Sequence, residues 1–189
     1  MSNVIAAELG LPQPLAGCFR PLAGEIAPVH CSDPASLQEA LRSVLLHKPD
    51  EDPAGVVFVW TVQHPYPVSA SAKSRISYIE KTDKTISQRW RPYIALLASD
   101  GGSDPLPPGE LDLVRWARES SNWSYYSQLI VRHGPMQVWW ASAAKLNAAA
   151  GGVQYKPVQW EGHLLRCFHR RHGCLPAKNR RHSGPLLQF

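Results

Sequence analysis

Apolar and polar positions first fall into a clear pattern at CSDPASLQEALRSVLLHKPD, residues 31–50. Leu37, Leu41, Val44 and Leu45 form one stripe at helical spacing and predict a helix docked on something apolar. Ser32 or Asp33 can cap it, Pro34 suits its first turn, and Pro49 lies just beyond its end. After the break PDEDPAG comes GVVFVWTV (55–62), a continuous β-branched and aromatic run that reads as a buried strand. QHPYPVSASAK (63–73) reads as a polar loop too long for a tight hairpin, and RISYIEK (75–81) as the partner strand. A turn, TDKT, leads to a helix through ISQRWRPYIALLAS (86–99), in which Pro92 marks a kink or an early turn.

GGSDPLPPG is a loop, ELDLVRWARES and NWSYYSQLIVRH are two helical stretches, and GPMQVWWAS is a third strand. A short Ala-rich helix and a Gly-Gly loop precede PVQWEGHLLRCFHRRHG, the last long helix, stopped by Gly173 and Pro176. Residues 1–31, rich in Ala, Leu, Pro and Gly with weak periodicity, read as an extended arm lying against the domain. The expected fold is α+β: a small, mainly antiparallel three-stranded sheet flanked by helices, with an N-terminal helical extension. The chain divides into an N-terminal arm and helix, 1–53, and a domain over 54–189 that ends in a basic tail.

Composition changes this picture modestly. No segment approaches the about 20 apolar residues that span a bilayer, and the N-terminus lacks the basic start of a secretory signal. The expectation is a cytoplasmic protein without membrane association. A formal charge of +5 raises the prospect of a polyanionic partner. Arg166, Arg170, Arg171, Lys178, Arg180 and Arg181 concentrate near the C-terminus and are the candidate nucleic-acid contacts, with a solvated basic face an equal reading of the charge alone. Four cysteines show no CxxC pair, as expected of reduced thiols. Cys167, His169, His172 and Cys174 crowd into CFHRRHGC, but a helix would splay them around its circumference, which disfavours zinc.

Two places carry possible chemistry. In the last helix, Glu161 shares the apolar face of Leu164, Leu165 and Phe168, where a carboxylate needs a cationic partner, the rim, or a metal. In the stretch SYIEKTDKTISQRWRPY (77–93), Tyr78 lies near a strand end and Lys81 follows it. Arg89 and Tyr93 sit one helical turn apart. These four side chains can converge, and arginine's planar fork suits phosphate. Singly, each also fits an aromatic core, a solvated lysine or a surface ion pair.

The order of these motifs resembles the GIY-YIG nuclease domain over residues 55–179. Tyr78-Ile79-Glu80-Lys81-Thr82 resembles the YIG-K-T segment, and Arg89 the arginine of the following helix. Tyr93 stands where several members, restriction endonucleases among them, have a tyrosine or histidine. Trp160-Glu161 with Leu164-Leu165 resembles the helix bearing the metal-binding glutamate, and Asn179 the asparagine that closes the domain. The resemblance implies a metal-dependent DNA endonuclease hydrolysing phosphodiester bonds, with one Mg²⁺ or Mn²⁺ on Glu161. It implies that Tyr78, its pKa lowered from about 10 by cations such as Lys81, activates or positions water. Arg89 would bind the scissile phosphate, and Tyr93 and Asn179 would orient these groups.

The motif also departs from the family. Val57 stands where the first tyrosine belongs, Glu80 replaces the glycine of YIG, and Tyr66 is the candidate to supply the missing hydroxyl. The alternatives are a DNA-binding protein that has lost cleavage, and an interaction domain stabilised by zinc.

Overall fold

The sheet is organised by the apolar run at 55–62, and the computed structural model describes residues 4–46, 53–99 and 122–182. Strand β2 spans Ala54–Pro67 and is buried without interruption from Val56 to Val62. Such continuous burial requires cover on both faces of the sheet. β3, Lys73–Thr85, returns antiparallel to it, pairing Phe58 with Glu80, Val59 with Ile79 and Trp60 with Tyr78.

Both strands outrun their expected ends. TDKT belongs to β3 rather than to a turn, and most of QHPYPVSASAK belongs to β2 and β3 rather than to a loop. A register shift between Thr61 and Tyr66 absorbs the irregularity. Beyond Val62 no further ladder pair joins β2 to β4 (Met136–Ser142), so Pro65 and Pro67 interrupt no two-sided ladder.

The α+β class holds, and the sheet is antiparallel throughout with a fourth strand. β1, Arg20–Pro21, pairs with β4 and gives the order β1-β4-β2-β3. It comes from the segment expected to be an extended arm. That segment instead folds into two short helices, α1 (Val4–Leu9) and α2 (Gln13–Ala16). Ile5, Leu9, Leu15, Phe19, Leu22 and Ile26 join the same hydrophobic core as the sheet.

The remaining helices follow their capping signals. α3, Pro34–Leu45, is capped by Asp33, which accepts from the Ser36 amide at 2.9 Å. α4, Ile86–Trp90, starts on a Thr85–Gln88 capping box and stops ahead of Pro92. The chain resumes as α5, Ile94–Leu97, so the proline divides the expected helix in two. α6 (Asn122–His133) covers the expected stretch, α7 (Ala143–Ala149) starts on the Ser142 hydroxyl, and α8 is Pro157–His172. Gly173 ends α8 at φ 70°, a backbone shape that favours glycine. GGSDPLPPG and ELDLVRWARES lie outside the described residues. Among those described, no helix is long and apolar enough to cross a membrane.

β3 is an edge strand of this sheet. α8 and α4 pack against it, as does a 3₁₀ turn at Ala177–His182. That edge is where the candidate residues gather.

Candidate active site

Asn179 occupies the place a neighbouring strand would take. Its Oδ1 accepts from the Ile79 amide at 2.9 Å, and its Nδ2 donates to the Ile79 carbonyl at 2.6 Å. Both outward-facing backbone groups of Ile79 are thereby satisfied, which fixes the strand on which Tyr78 and Glu80 share a face. Asn179 is a positioning residue in this arrangement.

Glu80, 4% exposed, is the residue the sequence reading missed. Trp60 Nε1 donates to its Oε1 at 2.8 Å and Arg89 Nη2 to its Oε2 at 2.9 Å. Burial raises its carboxyl above the ordinary range, and Arg89 and Trp60 work against that rise. The pair aims Arg89, whose guanidinium carbon lies 4.1 Å from the centre of the Tyr93 ring. Arg89 Nε is buried with no hydrogen-bond partner among the described residues. The signal for this pair was the charged residue in the glycine position of the motif, which lies two residues from Tyr78 and nine from Arg89.

Tyr78, Lys81, Arg89, Tyr93, Glu161 and Asn179 all line one cleft of about 490 Å³. Six residues from β3, α4, the break after it, α8 and the closing 3₁₀ turn thus meet at one place. Among the described residues Glu161 makes no hydrogen bond or ion pair. Its carboxyl is pushed up to about 7 by burial first and by the charge of Glu80, while Lys81 and Arg89 hold it back. A partly buried carboxylate at the cleft wall, without an ion-pair partner among the described residues, suits Mg²⁺ or Mn²⁺, since Mg²⁺ commonly takes one or two protein carboxylates and completes its shell with water and phosphate.

Several expectations need correction. The Tyr78 phenol is raised above its ordinary value, by burial and then by Glu80 and Glu161, whereas the sequence reading had it lowered by Lys81. The Lys81 ammonium is paired with Asp83 at 2.6 Å. Tyr66 is 1% exposed and donates its hydroxyl to the Ile76 carbonyl at 2.9 Å. It cannot replace the missing tyrosine. Val57 is wholly buried and does not line the cleft.

The basic C-terminal residues divide. Lys178 is buried at the cleft wall, its ammonium 4.6 Å from the centre of the Tyr125 ring, and so is not part of a solvated patch. Arg166, Arg170 and Arg171 are exposed. At 100° per residue, Arg166 and Arg170 project away from the buried Leu164–Phe168 side of α8. The side chains of Arg180 and Arg181 lie outside the described residues. The CFHRRHGC residues disperse: Cys167 approaches His163 at 3.6 Å, His172 meets the Glu8 carbonyl at 3.0 Å, and Cys174 donates to the Val68 carbonyl at 3.4 Å. Among the described residues no three His, Cys, Asp or Glu side chains form a metal-holding group.

No protein-family model, curated protein or solved structure matches the chain. The likeness to GIY-YIG nucleases rests on the short motifs and their order.

Proposed function

We propose that this protein is a divalent-metal-dependent DNA endonuclease of GIY-YIG type that hydrolyses phosphodiester bonds. The observation that carries the reading is the meeting of Tyr78, Arg89, Tyr93 and Glu161 at one cleft. An ion-pair or core origin for each residue would not require them to meet. Glu161 would hold Mg²⁺ or Mn²⁺, which supplies charge stabilisation at the phosphate. Arg89 has N–H groups beyond the one given to Glu80 and binds the scissile phosphate through them. Its guanidinium is held ready by Glu80 and Tyr93, so little ordering is needed when substrate arrives. Tyr78, with a raised pKa, keeps its proton and acts as a donor that positions water or a phosphate oxygen. It is not the base. Asn179 holds the strand that presents Tyr78. All four cysteines are free, in keeping with a cytoplasmic setting.

A DNA-binding protein without cleavage is the second reading, favoured by Val57, which brings no hydroxyl to the cleft. Nicking of supercoiled plasmid in Mg²⁺ or Mn²⁺ separates the two. We expect the wild type to nick, and Glu161→Gln to lose about a hundredfold or more, beyond the 10–100-fold typical of partners outside the ligand shell, with DNA binding retained. Binding without nicking by the wild type in either metal supports the second reading. Wild-type nicking by Glu161→Gln in saturating Mg²⁺ removes the metal assignment.

A further inference from the structure

The cleft continues past Tyr93. A cavity of about 240 Å³ shares Lys81, Arg89 and Tyr93 with it, and a third, of about 640 Å³, shares Lys84, Gln88 and Pro92 with the second. Their shared walls set the three side by side from Glu161 to Arg91, around the corner where β3 enters α4, and we read the row as one groove. The two outer cavities are lined by four cations, Lys81, Lys84, Arg89 and Arg91, and by one carboxylate, Asp83, which is paired with Lys81. Lys84 and Arg91 are exposed and have no ion-pair partner among the described residues. Where the first two cavities meet, Tyr93 is 39% exposed, and the ring face not covered by Arg89 is a surface on which a base can stack.

We propose that the DNA strand flanking the cleft lies in this groove, with its phosphates on Lys84 and Arg91. The inference rests on the reading of the partner as DNA, and it moves the main contact surface off the outer face of α8. Phosphates on one strand follow each other about every 3.4 Å of axis. A strand with one phosphate at Arg89 therefore places the next ones in space contiguous with the cleft. Arg166 and Arg170 project from the far side of their helix and do not border that space.

The test is fluorescence anisotropy with a labelled DNA duplex across a salt series. It uses Glu161→Gln protein in EDTA, so that binding is read whether or not the wild type cleaves. In that background Lys84→Ala/Arg91→Ala is expected to weaken binding about tenfold near physiological salt. It should also flatten log K against log[salt] by about 1.8, two phosphate contacts at about 0.9 each. Arg166→Ala/Arg170→Ala is expected to change the slope less. An unchanged slope in the Lys84/Arg91 variant, or a larger loss from the Arg166/Arg170 variant, overturns the groove, and a cleavage result can still stand. A wild type that binds but does not cleave overturns the nuclease reading and leaves the groove intact. Thermal melting of both variants confirms that exposed positions alone were altered.

Discussion

A largely buried carboxylate with no ion-pair partner among the described residues makes stability depend on pH, and Glu161 is that group. Its carboxyl rises from an ordinary value of 4.5 to about 7 in the folded chain. Between those values the folded state keeps a proton that the unfolded state has released, so this group's contribution falls as pH rises through the window and levels off above it. The melting temperature of the apo wild type should therefore decline across that range relative to Glu161→Gln, which cannot ionise. Above pH about 7, Mg²⁺ should raise the wild-type melting temperature and leave Glu161→Gln unmoved, because only the former gains a folded-state ligand. Parallel pH profiles for the two proteins would sink the assignment of the shifted carboxyl. At this scale the sequence was legible as to which side chains meet, since Tyr78, Arg89 and Asn179 line one cleft. It was illegible where burial decides. Glu80 acquires its meaning from Trp60, twenty residues away on the neighbouring strand, and Lys178 looks like a solvated cation until it is found against Tyr125.

The Glu80–Arg89 pair joins β3 to α4, so its energetics are those of two elements. Glu80 is 5% and Arg89 22% exposed in their side chains. Removing one member of a buried pair leaves an uncompensated charge and costs about 3–5 kcal/mol, whereas removing both can be nearly neutral. Arg89→Met should accordingly destabilise by about that amount, and adding Glu80→Gln should restore part of it, as urea unfolding of the two variants and the double variant would show. Additive losses would mean that the two side chains do not act on each other. Caps and apolar stripes made α3, α6 and α8 readable, and the missing amide of Pro92 made the break after α4 readable. The 63–73 segment was not, because prolines normally mark loops. Only the topology reveals that β2 is free of its β4 neighbour at that point.

The N-terminal segment shares the core of the sheet. α1 packs on α8 and on β3, the two elements that carry Glu161 and Tyr78. Glu8 accepts from the Ser74 hydroxyl at 2.7 Å, and its backbone carbonyl meets His172 at 3.0 Å, so one residue ties the start of β3 to the end of α8. Ile5, Leu9, Phe19, Leu22 and Ile26 are each at most 4% exposed, and burying such a side chain contributes about 1.5–3 kcal/mol. The whole margin of a domain is about 5–15 kcal/mol, so losing this burial is expected to consume most of it. Its helices are too short for periodicity to announce, six and four residues, and β1 has two residues. That is why the sequence alone suggested an arm. A chain lacking residues 1–31 should lose its cooperative thermal transition and become rapidly degraded by protease. The milder Ile5→Ala should cost about 2–5 kcal/mol, with the transition still cooperative. If the truncated chain melts within a few degrees of the full chain, the segment is an appendage, and the support for β3 and α8 at the cleft must come from the sheet alone.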